Sequence, residues 1–197
     1  MEITDAASKW KSGSEPIHDG GHPVGGTLLE FWQWSASDLV SNATRGVLAE
    51  YFVALALGGP MEPVRREWDA YDLKLADDTK VEVKSAAYVQ AWKQTRPSTI
   101  VFQVGKRRWW DAESGVSSDE PSRHADVYVF ALLKHQERDT LDPLNVAQWE
   151  FYVLPTRTLN ERTRSQHSIT LRSLQALSGG PITFEQLGRA VACAAQA

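Results

Sequence analysis

Cysteine is all but missing from this chain. A single Cys193 in 197 residues rules out an internal disulfide and makes a reducing compartment the natural expectation. Long apolar runs are missing as well. Stretches such as residues 51–57 are far too short to cross a bilayer, and no charged-then-apolar leader opens the sequence. A soluble, cytoplasmic protein without a membrane partner is expected. Surplus positive charge is also lacking. A net charge of −4 argues against a protein that coats nucleic acid electrostatically. It leaves room for an enzyme acting on nucleic acid, because metal-binding carboxylates add negative charge and phosphate contact needs only a local basic patch. Nor is there a glycine-rich phosphate cradle: Gly58-Gly59 follows a helical pattern instead of opening one.

What is present suits one compact α/β domain. Hydrophobic residues make up 42% of the chain, enough for a core. Residues 1–26, rich in Gly, Ser, Lys and Asp, read as a flexible N-terminal arm, and residues 27–197 as a single domain. His18 and His22 lie in that arm at a spacing compatible with a metal, but a Gly-Gly setting preorganises them poorly. A helical pattern begins near Thr27. A second is expected from Ser37 as N-cap through Leu39, Val47, Leu48, Tyr51, Phe52 and Leu55 to Gly58-Gly59-Pro60. An extended piece follows at residues 64–68, and a hairpin at 72–84 turning around Asp77-Asp78-Thr79. A short helix is expected over 86–93 and a buried strand over 99–104. A polar loop over 111–124 leads to a strand at 125–133. Another strand at 149–154 ends at Pro155. Thr183 and Gln186 form the capping box of a closing helix.

The hairpin carries the chemistry. Side chains alternate along a strand, so Glu82 and Lys84 share one face of Lys80-Val81-Glu82-Val83-Lys84 while Val81 and Val83 take the other. A register that keeps the apolar residues together sets Asp72 opposite or diagonal to Glu82. Hydrolysis of a phosphodiester needs an activated water and neutralisation of developing charge. Hard oxygen ligands hold Mg²⁺ for that purpose, and a lysine one strand step away can orient the water or stabilise the transition state. Asp72, Glu82 and Lys84 supply this set, with the Val83 carbonyl as an extra ligand. The bland reading is an ordinary half-exposed strand with a charged solvent face. A basic patch, Lys106-Arg107-Arg108 beside Trp109-Trp110, reads either as a phosphate contact or as a solvated loop. Arg45 reads as a partner for an acid on its own helix, or else for phosphate.

This pattern resembles the PD-(D/E)XK nuclease superfamily, whose signature is an Asp at the start of one strand and Glu-X-Lys on the next. Here those positions are Asp72 and Glu82-Val83-Lys84, with Tyr71 where the name-giving proline would stand and Asp69 as a rival first carboxylate. Members often carry a glutamate on the preceding helix, matched by Glu50, and a polar residue on the helix after the lysine, matched by Gln90. The resemblance implies a restriction-endonuclease-like αβββαβ core: a mixed central sheet flanked by helices, with an extra C-terminal strand and helices. It further implies a Mg²⁺-dependent DNA endonuclease in which Mn²⁺ substitutes. Asp72, Glu82 and Glu50 would hold the metal, Lys84 would act on the attacking water, and Gln90 would position water or phosphate. DNA is the implied partner, with a homodimer or a targeting protein as further expectations. The competing expectations are a non-catalytic nucleic-acid-binding or assembly module that kept the fold, and an RNA substrate.

Overall fold

The computed structural model describes residues 9–59, 64–65, 70–108 and 120–197. The rival Asp69, most of the extended piece at 64–68, Trp109, Trp110 and most of the polar loop lie outside those residues.

The centre of the molecule is a four-stranded mixed sheet of order β3-β4-β6-β7 (β3 Leu73–Lys74, β4 Lys80–Ala87, β6 Val127–Leu133, β7 Trp149–Pro155). Strands β4 and β6 run parallel, from Val81↔Val127 to Ala87↔Leu133, and the other two pairings are antiparallel. Every residue of β6 is buried, which is why that strand reads as a continuous apolar run instead of an alternating one. On one face α2 (Asn42–Ala56) and α5 (Phe184–Ala195) pack Ala49, Phe52, Val53, Leu187 and Val191 against Val81, Val83, Val127 and Phe151. The opposite face, with Tyr128, Phe130, Leu132, Tyr152 and Leu154, is covered by a two-stranded ribbon of β5 (Val101–Gln103) and β8 (Ser168–Thr170). Beside it lie α3 (Thr156–Glu161) and α4 (Leu171–Ser178). The mixed sheet and flanking helices agree with the fold class read from sequence, and so do the hairpin, the buried strand at 127–133 and the Thr183–Gln186 capping box.

Several elements differ from the expectation. Residues 16–27 form a hairpin of β1 (Pro16–Asp19) and β2 (His22–Thr27), which no apolar alternation announces. Ser37 does not open α2. It closes α1 (Leu28–Ala36), bonding back to the Gln33 carbonyl, and Asp38 Oδ1 then accepts from the N–H groups of Val40 and Ser41 at 3.1 Å each. This Asx turn delays the next helix, whose N-cap is Ser41. The glycine stop behaves as expected. Gly58 and Gly59 both have φ of 106°, and their N–H groups bond to Leu55 and Ala54 carbonyls, the double bond of a Schellman ending.

The helix expected over 86–93 is absent. Strand β4 runs on because Ala86 and Ala87 pair with Leu132 and Leu133. The carbonyls that would build a helix are taken elsewhere: Tyr88 accepts from Ser98 N–H, while Gln90 and Trp92 accept from the Arg138 guanidinium. Among the described residues no helix lies between β4 and β6, so the αβββαβ order read from sequence is not reproduced there.

Candidate active site

The turn of the β3–β4 hairpin is built by Asp77, whose Oδ1 accepts from Thr79 N–H at 3.1 Å, and by Asp78 at φ 67°. That is a left-handed conformation which aspartate tolerates better than most residues. The tight turn fixes the register Leu73↔Val81, and Asp72, just before β3, lies against Val81 to Val83 of β4. Asp72 donates its N–H to the Val81 carbonyl at 3.0 Å, and its Oδ2 accepts from Val83 N–H at 2.6 Å. The carboxylate is thereby pinned beside β4.

Three acids converge here. Burial pushes the Asp72 carboxyl up to about 7, helped by the charges of Glu82 and then Glu50, against the pull of the Val83 N–H and Lys84. Lys84 pairs with Glu82 on the shared strand face. Glu50, one face of α2, is held by a forked contact from Arg65, with Nη2 donating to Oε1 at 3.0 Å. The side chains of Glu50, Glu82 and Lys84 keep only 13%, 14% and 21% exposure, which is not the solvated face of an ordinary amphipathic strand.

Glu82 and Lys84 open onto a small cleft on the ribbon side of the sheet, shared with Gln103, Arg107, His124 and Tyr128. Tyr128 sits beside Glu82 in the parallel register. Burial, and next the Glu82 charge, push its hydroxyl up to about 12, with Arg123 and Arg107 pulling the other way. It is therefore a neutral donor at any physiological pH. Arg107 is thus brought to the carboxylates, its backbone clipped to Ser122 by a pair of 3.0 Å hydrogen bonds. Lys106 and Arg108 are exposed and do not line the cleft. Sequence reasoning set no weight on His124 and did not single out Tyr128. Tyr128 lies in an all-apolar run, and its place beside Glu82 follows only from the β4–β6 register.

Gln90 is not in this cleft. Its amide is 7% exposed, accepts from Arg45 at 3.5 Å and donates to Ala87 O and Ser98 Oγ. Arg45 has no acid partner on its helix: its acceptors are Ser85 Oγ, Val40 O, Gln90 Oε1 and Asn42 Oδ1. Asp126 is structural, its Oδ2 accepting from Lys80 N–H at 2.8 Å.

The residues suit a hard divalent cation. Their donors are carboxylate oxygens, and the Asp72 carboxyl is raised first by burial and then by the like charges of Glu82 and Glu50. Among the described residues no three His, Cys, Asp or Glu side chains stand grouped as ready metal ligands; Glu50 and Glu82 are engaged by Arg65 and Lys84.

Glu82, Lys84 and Arg107 line one cleft of the mixed α/β sheet, with Asp72 on the neighbouring strand edge bonded to β4. Residues 27–173, about three quarters of the chain, match the family model described as bacteriophage T4 endonuclease IV. The chain belongs to this family, and is a nuclease by that membership. The match takes in Glu50, Asp72, Glu82, Lys84 and Arg107. No curated protein matches the chain at a significant level.

Proposed function

We propose that the protein is a Mg²⁺-dependent DNA endonuclease whose centre is the Asp72, Glu82 and Lys84 cluster. The observation that carries this reading is that the charges of Glu82 and Glu50 both bear on the half-buried Asp72, in a member of a family of endonucleases. Asp72 and Glu82 would hold the metal, the Val83 carbonyl would add a ligand, and Glu50 would complete or orient its surroundings. When bound, Mg²⁺ supplies charge neutralisation at the phosphate and a more acidic water.

The chain's own residues divide the remaining work. Lys84 Nζ now donates to Glu82. Metal binding by Glu82 would release it toward the attacking water or a non-bridging phosphate oxygen, where it stabilises charge that develops only in the transition state. Arg107, in the same cleft, can take a second phosphate oxygen in its planar fork. The Tyr128 hydroxyl can donate a hydrogen bond, because it does not ionise at working pH. As water oxygen bonds to phosphorus, the bond to the leaving sugar oxygen breaks and that oxygen takes a proton from solvent or from the cleft. Gln90 has no part in this step, since its amide is spent on Arg45, Ala87 and Ser98.

The test is cleavage of supercoiled plasmid and of circular single-stranded DNA with Mg²⁺, with EDTA, and with Lys84→Ala. Loss of at least ~10²-fold in rate is expected for the variant, as for removal of other single transition-state donors, and complete loss is expected in EDTA. Cutting that persists in EDTA or in Lys84→Ala would sink the mechanism. DNA retention without cutting under any divalent ion would instead favour a binding module, and faster cutting of RNA would replace the substrate.

A further inference from the structure

A cavity larger than the carboxylate cleft lies elsewhere among the described residues. It is a pocket of about 380 Å³ at the N-terminal end of α2, formed where that helix meets the end of β4 and the residues leading into β5. At its wall lies Arg45, only 4% exposed. Around it stand Asn42, Gly46, Ser85, Ser98, Thr99 and the exposed indole of Trp92. The lining holds no aspartate or glutamate, so Arg45 is its only formal charge.

A buried guanidinium normally faces a carboxylate, because burying an uncompensated charge is costly. Arg45 instead spends four of its five N–H groups on neutral oxygens. The fifth, on Nη2, has no acceptor among the described residues. The first turn of α2 adds its own positive end. Cation, helix end and serine and threonine hydroxyls together make an environment suited to a tetrahedral oxyanion. The pocket is also placed to serve the carboxylate site. Gly46 and Glu50 are four residues apart on α2, on one stripe of the helix and about 6 Å along its axis, and Ser85, next to Lys84 on β4, faces α2 while Lys84 faces the ribbon.

We propose that this pocket is a phosphate subsite, in which Arg45 holds a phosphodiester of the bound strand flanking the one presented to Asp72, Glu82 and Lys84. The subsite rests on the endonuclease reading for its ligand, but its test requires no cleavage. It anchors the strand without reading bases, since phosphates position while base edges specify.

Gly46 gives direct access to the idea. A Cβ built there meets nothing within 4 Å, so Gly46→Glu can carry a carboxylate to Arg45 without disturbing the fold. Gly46→Gln has nearly the same shape without charge, and Val47→Glu, at an exposed position, adds the same charge to the helix outside the pocket. Binding of a fluorescent single-stranded oligonucleotide in EDTA, followed by anisotropy across salt concentrations, should weaken at least tenfold in Gly46→Glu. Its dependence of log K on log salt should fall by about 0.7, the loss of one phosphate contact on a single strand. Val47→Glu should stay within threefold of the parent, and Gly46→Gln should lose less than Gly46→Glu and keep the parent's salt slope. Inorganic phosphate should raise the melting temperature of the parent and of Val47→Glu, but not of Gly46→Glu. An unchanged affinity and salt slope in Gly46→Glu overturns the proposal, and so does an equal loss in Val47→Glu. Protection by inorganic phosphate with no effect on oligonucleotide binding also overturns it, because the pocket would then serve a free anion. A parent protein that never cuts under any divalent ion but binds DNA with full sensitivity to Gly46→Glu would leave this subsite standing while removing the catalytic reading.

Discussion

Asp72 holds a proton that most aspartates have lost. In an unfolded chain its carboxyl would titrate near 3.9, whereas burial and the neighbouring charges of Glu82 and Glu50 carry it to about 7 in the folded protein. Between those values the folded state binds a proton that the unfolded state has released. The stability this group contributes is therefore complete below about pH 4, falls as pH rises, and is gone above about pH 7. The loss is on the order of a few kcal/mol. Asp72→Asn retains an oxygen for the Val83 N–H and removes the charge. Urea unfolding should show the variant more stable than the parent at pH 8, by about 1 kcal/mol or more, with a flatter profile from pH 5 to 8. A variant less stable than the parent at pH 8 would refute repulsion as the cause. Mg²⁺ should stabilise the parent at pH 8 through binding to the native state and leave Asp72→Asn unmoved. The hairpin that brings Asp72 beside β4 could be read in the sequence because a short turn and strict alternation leave few registers. The Arg45 pocket could not, because two of the four partners of Arg45 lie 40 and 45 residues away, all four are neutral, and they follow no period.

Elements were legible where local chemistry and tertiary packing agree. The capping box of α5 and the glycine ending of α2 are local devices, and each appears where the residues put it. The segment 86–93 was not, because the pairing of Ala86 and Ala87 with a distant strand outweighs the helix preference of alanine. The C-terminal segment contributes more than edge support: Ile182 pairs with Phe151 on the outer strand, as expected of an edge cover, but Leu159, Ile169 and Leu174 also complete the second core. The two ends of the fold should respond oppositely to substitution. Gly188 of α5 lies so close to α2 that an added Cβ would meet the Ala56 carbonyl oxygen at 2.8 Å. Gly188→Ala should cost ~1–3 kcal/mol by forcing the helices apart, seen as a lower urea midpoint. Helix α1 has no buried residue, and Trp34 is 85% exposed. Trp34→Ser should therefore change stability by less than about 0.5 kcal/mol. A large loss there would mean that α1 is covered in solution.

For the molecule as a whole, the sheet divides two tasks. One face and its helices α2 and α5 form the larger apolar body, while the hairpin edge, with the ribbon on the other face, frames the polar cleft. The mixed sheet could be anticipated from the succession of strands and helices. Its parallel centre could not be aligned in advance, because parallel strands carry no turn between them to set their register. That pairing has a consequence for synthesis. Val81 of β4 waits for Val127, 46 residues downstream, and β6 in turn is closed by β7, ending at Pro155. A growing chain that has exposed only Asp72, Glu82 and Lys84 holds a two-stranded hairpin, which is marginal by itself in water. At about 5–20 residues added per second, the acids cannot be held together until several seconds of further translation have passed. With the cutting centre proposed above at these residues, the protein would gain activity only once most of its length has left the ribosome.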